Sequence, residues 1–135
     1  MVNALTDADY ERLLRLRTDL RRFLRWSEEQ AEVAGITPVQ HQLLLAVRGH
    51  PGPDAPTVGD LAGSLLLRHH SVVGLIDRAE EAGLVRRRHD RADRRVVRVA
   101  LTARGRHKLA SLTAEHVVEL RQVGARFAEL AATLD

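Results

Sequence analysis

From Thr6 to Ala34 the apolar residues Tyr10, Leu13, Leu14, Leu16, Leu20, Phe23 and Leu24 recur at helical spacing with polar residues between them. This pattern predicts one long amphipathic helix that ends at Gly35. Thr37-Pro38-Val39-Gln40 then reads as a new helix start, with a hydroxyl N-cap, a proline where a backbone N–H would be orphaned anyway, and a glutamine placed to complete a capping box. This second helix runs to about Arg48 and buries Leu43, Leu44 and Val47. Gly49 to Pro56 (GHPGPDAP) concentrates three of the four prolines and is a loop. Thr57 caps a short third helix with Asp60 three residues on, and Val58, Leu61, Ala62 and Leu65 supply its inner face. After a turn near Leu66 a fourth helix begins around Arg68 to His70, turns Val72, Leu75, Ile76 and Ala79 inward, and stops at Gly83.

The period then changes from helical to alternating. Val97, Val99 and Leu101 alternate with Arg98 and Ala100, and the upstream LVRRRH can pair with them across a turn at Asp90 to Asp93. Thr102 caps a last helical region in which Leu109, Leu112, His116, Leu120, Val123, Phe127, Leu130 and Leu134 fall at steps of three or four. At 1.5 Å per residue its span is about 45 Å, more than a small domain covers alone, so a partner helix is the simplest cover. Gly124 leaves open whether the region is one helix or two.

The 135 residues suffice for a single domain with one or two small cores, and 44% hydrophobic with 29% charged residues is a globular balance. Cysteine is absent, which excludes disulfides, thiolate metal sites and thiol chemistry and makes the cytoplasm the default compartment. No apolar run approaches the roughly 20 residues of a membrane span, and the N-terminal segment is acidic where a secretory leader would be basic and then apolar. The overall charge of +3 hides a strong segregation: Leu84 to Lys108 carries ten basic and two acidic residues, a local +8 against −5 for the rest. That is the footprint of a polyanion binder.

The seven histidines offer no metal-ligand spacing. His69 and His70 diverge by about 100° on a helix, and His107 and His116 are too far apart for an i, i+4 pair. No nucleophile–base motif, P-loop or dinucleotide glycine pattern is present, so catalysis and a cofactor are not expected.

Two short helices joined by a tight turn and followed by a basic hairpin form a winged helix-turn-helix. One helix fits a major groove while an arginine-bearing wing reaches an adjacent groove or phosphates. The expected class is therefore mainly α with a small β-hairpin wing, with residues 1–34 and 103–135 as a helical dimerisation region and 35–102 as the DNA-binding lobe. The runs DLAGSL, VVGLIDRAEEAGLVRR and DRRVVRVALTARG, between Asp60 and Gly105, resemble the MarR family of bacterial transcriptional regulators. Its pattern is close to D-L-A, V-x-x-L-[VI]-D-R-L-E-x-x-G-L-V-x-R and D-x-R-x-x-x-V-x-L-T-x-x-G.

The resemblance implies a homodimer on a pseudo-palindromic duplex site, acting as a repressor released by a small aromatic or phenolic effector. The rivals are an architectural protein that coats DNA by charge alone and a module whose C-terminal helix binds a protein partner. By position, Arg68, His69, His70, Ser71, Val73 and Gly74 fall on the recognition helix, where Val73 and Gly74 depart from the usual polar residues. Arg68 stands where an N-cap acceptor is common, so a DNA phosphate is expected to satisfy the helix start instead. Arg88, Arg91, Arg94 and Arg95 are the wing candidates, with Asp93 as the acid that supports an arginine. Asp77 and Arg78 are read as an ion pair before a base contact, and Glu80 and Glu81 as a solvated face. An effector crevice would draw on Arg22, Trp26 and His41. The alternative reading makes Trp26 core or dimer interface and His41 a surface residue.

Overall fold

The computed structural model describes residues 4–134, and its elements follow the capping signals closely. Helix α1 spans Asp7–Val33, α2 Pro38–Arg48, α3 Val58–Leu65 and α4 His69–Glu81; strands β1 (Val85–His89) and β2 (Val97–Leu101) lead into α5 (Ala103–Ala132). Thr6, Thr37 and Thr57 each close a reciprocal capping box, with Asp9, Gln40 and Asp60 as the respective partners. Three helix starts are thereby set by residues only three positions apart.

Two helix ends use the same device. Gly35 and Gly83 take positive φ values of 82° and 76°. In both cases the next residue donates back along the helix, Ile36 to Ala31 at 3.1 Å and Leu84 to Ala79 at 2.9 Å. These are Schellman ends, and the following apolar residue, Ile36 or Leu84, is buried in the core as the motif favours. Helix α3 stops differently. Leu66 adopts the left-handed region (φ 55°, ψ 40°) without being glycine, with its side chain 91% exposed. The turn between α3 and α4 thus holds local backbone strain in an exposed leucine.

Strands β1 and β2 form an antiparallel hairpin registered from Val85↔Leu101 to His89↔Val97, and Thr57 adds an isolated bridge to Arg98. One face of the hairpin covers a core built from Leu43 and Leu44 of α2, Leu61 of α3, Val72 and Ile76 of α4, and Val99. Leu109 and Leu112 of α5 and Ala31 of α1 close that core from the other side.

Helix α5 runs unbroken through Gly124, which settles the open question in favour of one helix of 30 residues. A lone exposed glycine costs a helix only about 1 kcal/mol, too little to break one with so many flanking turns. Helices α1 and α5 pack along each other. Their apolar residues are only partly used: Leu14, Leu20, Leu24, Val118, Leu120 and Phe127 are 40–64% exposed.

The start of α5 is locked to the end of α4. The Thr102 hydroxyl donates to Gly83 O at 2.6 Å, and Thr102 N donates to Leu84 O at 3.1 Å. A Cβ added to Gly105 would lie 2.0 Å from Leu84 O, whereas one added to Gly63 in α3 meets nothing within 4 Å. Gly105→Ala is therefore expected to cost about 2–4 kcal/mol of stability by forcing two backbones apart. Gly63→Ala should gain about 0.5–1 kcal/mol. Urea unfolding of the two variants beside the parent checks both signs.

Candidate nucleic-acid interface

The first turn of α4 is the most open helical start in the described chain. Arg68, His69, His70 and Ser71 are all exposed, while Val73 and Gly74 are half-buried along the same helix. Arg68 sits at the N-cap in extended geometry and supplies no side-chain cap, in contrast to the threonine caps of α1, α2, α3 and α5. The leading amides of α4 thus face outward without a side-chain acceptor, beside an arginine and two histidines. Such a start is electropositive from both its dipole and its side chains.

A guanidinium clamp fixes this helix to the wing. Arg87 on β1 donates from Nη1 to Glu80 Oε1 at 2.8 Å and from Nη2 to Asp77 Oδ1 at 2.5 Å, and its backbone N–H reaches Glu80 Oε2 at 2.9 Å. The Arg87 N–H is the chief reason the Glu80 carboxyl is held below the usual carboxylate range. Two expectations are corrected here. Asp77 pairs with Arg87 and not with Arg78, because strand β1 brings a guanidinium against the outer face of α4, whereas Arg78 packs beside Gly74. Glu80 is not a solvated residue but a half-buried acceptor for the same guanidinium, while Glu81 is exposed.

The wing tip is organised by two aspartates. Asp90 accepts Ala92 N and Asp93 N at 3.0 and 2.9 Å and binds Arg98 Nε at 2.7 Å, and the Arg98 contact is the main reason its pKa is lowered. Asp93 holds Arg95 through Nε and Nη2, both at 3.1 Å, and that bidentate contact leads the lowering of its own pKa. The Arg95 side chain remains 92% exposed, so it is oriented without being covered. Arg88, Arg91 and Arg94 are exposed and make no ion pair among the described residues. Arg98 was not among the sequence candidates. Its alternation with Val97 and Val99 marked it as outward-facing, but only the fold shows that it also donates to Ala55 O at 2.7 Å.

A second polar group lies where α1, α2 and α5 meet. His116 is buried, and its Nδ1 lies 2.7 Å from Leu112 O, which can only accept, so Nδ1 carries a proton. Its Nε2 is 2.7 Å from the Ser27 hydroxyl. The His41 ring stands edge-on to His116 with centroids 4.8 Å apart, and Trp26 packs on His116 at 4.7 Å. His41 is only 4% exposed, which corrects its reading as a surface residue: the second turn of α2 is pressed against both terminal helices. Its Nδ1 has no partner. A cleft of about 280 Å³ opens here between Leu24, Ser27, Glu28, Pro38, Val39, His41 and Gln42. Of the three residues given to an effector crevice, His41 borders it, Trp26 packs against His116, and Arg22 is exposed on α1. Ser27 and His116 escaped sequence reasoning, although the place of His116 in the apolar stripe of α5 was the available signal.

The model of the MarR family matches residues 34–96, from the end of α1 through the wing loop. Over that stretch the chain is similar to the MarR family. Its relatives are transcription regulators and not enzymes, among them the HTH-type transcriptional repressor MdtR of Bacillus subtilis, 28% identical over 120 residues that cover 78% of this chain and 76% of MdtR. A MarR family protein from Bacillus stearothermophilus superposes with a TM-score of 0.74 at 26% identity over 89% of this chain and 82% of that one. The S. aureus MepR–DNA complex shares the fold, with a TM-score of 0.71 at 22% identity over 87% of this chain and 83% of that one. Within the MarR pattern, the D-R-x-E run and the arginine three residues after G-L are the residues that build the Arg87 clamp.

Two outcomes follow from this geometry. Arg87→Lys keeps the charge but loses the planar fork that serves both carboxylates, and should lower stability by about 1–2 kcal/mol in urea unfolding. Burial first, and the neighbouring His116 second, depress the His41 pKa below 6.5. The unfolded chain therefore takes up this proton before the folded one. The corresponding stability is full above about pH 6.5 and declines as the pH falls through that value toward the folded-state pKa. Unfolding at about pH 7.5 and 5.5 should show a smaller drop in stability for His41→Leu than for the parent.

Proposed function

We propose that this chain is a homodimeric, sequence-specific DNA-binding transcriptional regulator of the MarR family that represses from a pseudo-palindromic site and is released by a small-molecule effector. In this reading residues 1–34 and 103–135 form the dimerisation region and residues 35–102 the DNA-binding lobe. Arg68, His69, His70, Ser71, Val73, Gly74 and Arg78 are offered to a major groove by α4. Arg88, Arg91, Arg94 and Arg95 reach the backbone and an adjacent groove from the wing, with Asp93 aiming Arg95. The neighbour MepR, solved in complex with DNA, supports this use of the shared fold.

The observation that carries the proposal is the unused apolar surface of the terminal helices beside an open, basic recognition helix. The chain exposes 9392 Å². A compact monomer of 15.1 kDa would expose roughly 7,100 Å² by the usual scaling of surface with mass. On α1 and α5 leucines and Phe127 stand uncovered, and a second copy of the same helices would supply matching apolar faces. Two-fold symmetry then sets the recognition helices about one helical turn of duplex apart.

The small cleft at His41 lies where α1 leaves the lobe, so a ligand wedged there would favour one relative setting of lobe and dimer over another. His41 borders this cleft, and with Arg22 and Trp26 of α1 it is the group offered to a small aromatic or phenolic effector. A DNA regulator of this kind works in the cytoplasm, and no helix among the described residues is long and apolar enough to cross a membrane.

Light scattering on the eluted protein should give twice the monomer mass at micromolar concentration, and Leu20→Asp with Phe127→Asp should return it to one. Duplexes selected from genomic DNA should bind roughly 10³-fold more tightly than random sequence. Arg68→Ser should weaken binding to both classes alike, because it removes a phosphate contact. Equal affinity for selected and random duplexes would instead mark a coating protein.

A further inference from the structure

A cleft of about 610 Å³ opens on the face of the wing turned away from α4, between the hairpin, the loop 49–56 and the ends of α2 and α5. Strand alternation explains its chemistry. Arg87 points to the clamp on α4, so Arg86 and Arg88 project from the opposite face, and Ala100, the register partner of Arg86, leaves room between them. Arg48, in the last turn of α2, and Arg106, in the first turns of α5, line the same cleft. Arg106 is steadied by a bond from Nη1 to Leu101 O at 3.1 Å.

The walls are set in advance. Val99 N donates to Pro56 O at 2.9 Å and Arg98 Nη1 to Ala55 O at 2.7 Å, which pins the proline-rich loop along β2. The charge is uncompensated. Arg87, Arg95 and Arg98 all have carboxylate partners, but Arg48, Arg86, Arg88 and Arg106 have none among the described residues. The acidic group on the lining is Asp54 alone, and His50, also on the lining, is turned to Asp60 at 3.6 Å. Four like-charged forks around one concavity repel each other until an anion enters.

We propose that this cleft is a binding site for the diphosphate or triphosphate group of a small molecule, sharing only Arg88 with the proposed operator surface and distinct from the His41 cleft. Its volume falls within the roughly 300–1,000 Å³ of small-ligand sites, and a walled concavity suits a compact anion better than the convex edge of a duplex. A single phosphate engages one or two guanidinium forks, whereas a chain of two or three phosphates can satisfy forks set on two helices and a strand. The four arginines on the lining favour an anionic ligand over an uncharged one.

The test is calorimetric titration of the intact protein with pyrophosphate, ADP and orthophosphate at matched ionic strength, which removes general screening. Pyrophosphate and ADP are expected to bind at least about tenfold more tightly than orthophosphate. Equal affinity for the two assigns the polyphosphate alone, and tighter ADP extends the site to the nucleoside. Arg48→Ala with Arg106→Ala should weaken pyrophosphate at least about tenfold while leaving duplex affinity within about twofold. Both side chains are exposed, and thermal unfolding verifies that the double variant folds. Each single variant should show part of the same loss. Pyrophosphate binding no tighter than orthophosphate, or binding insensitive to these substitutions, overturns the proposal. So does loss of duplex affinity without selective pyrophosphate binding, which would make the cleft a contact for flanking DNA.

Discussion

One guanidinium makes the helix and the wing into a single reading head. Arg87 leaves β1, grips Asp77 and Glu80 on α4, and touches Val73 O at 3.4 Å. Without it the hairpin would meet α4 only through the apolar contacts behind Val85 and Val99, and a two-stranded ribbon is a weak structure on its own. Its side chain is 28% exposed, so the contacts are partly desolvated, and a fork bridging two carboxylates is worth more than a surface ion pair. The clamp acts on the last turns of α4, the same end at which the Schellman motif ties Leu84 into the core. Between them they fix both the tilt of α4 and the direction of the wing.

Most of the fold was legible because its signals are local. Two capping boxes, at Thr37 and Thr57, two glycine ends and the change from helical to alternating period each depend on residues within a few positions of one another, and each appears where the spacing places it; the Thr6 box emerged only with the fold. What was not legible depends on which side chains meet after folding. Asp77 had a neighbour in sequence, Arg78, and a partner in space, Arg87. Nothing in the intervening residues distinguishes the two, since the choice is made by the hairpin returning alongside α4. Glu80 looked like one of two solvated acids for the same reason. Gly105 lies between these extremes: its place in L-T-x-x-G was visible, but the need for glycine arises from a carbonyl of Leu84 far closer than any Cβ tolerates.

Counting charge along the chain located the basic segment but not its division of labour. The arginines between Leu84 and Lys108 fall into two groups once partners are known. Arg87, Arg95 and Arg98 are spent on internal order, aligning α4, the wing tip and the loop 49–56. Arg86, Arg88, Arg91 and Arg94 on the hairpin, with Arg104 and Arg106 at the start of α5, have no carboxylate partner among the described residues. A strand alternates its side chains, so one run of three arginines at 86 to 88 necessarily serves two opposite faces. The local +8 is therefore not one electrostatic patch but at least two.

The junction of α1, α2 and α5 shows how the terminal helices and the lobe are mechanically joined. Ser27 and His116 are bonded to each other across α1 and α5, while His41 of α2 leans on the same imidazole with its Nδ1 unpartnered. A buried polar atom without a partner is costly, and that cost falls whenever a donor or acceptor reaches it. The group bearing it sits on α2, which packs directly against α4, with Leu43 and Leu44 in the same core as Val72 and Ile76. A close-packed core transmits displacement instead of absorbing it. In the reading proposed above, a molecule that reaches His41 Nδ1 acts on α2, and α4 is the helix packed against α2 across the core.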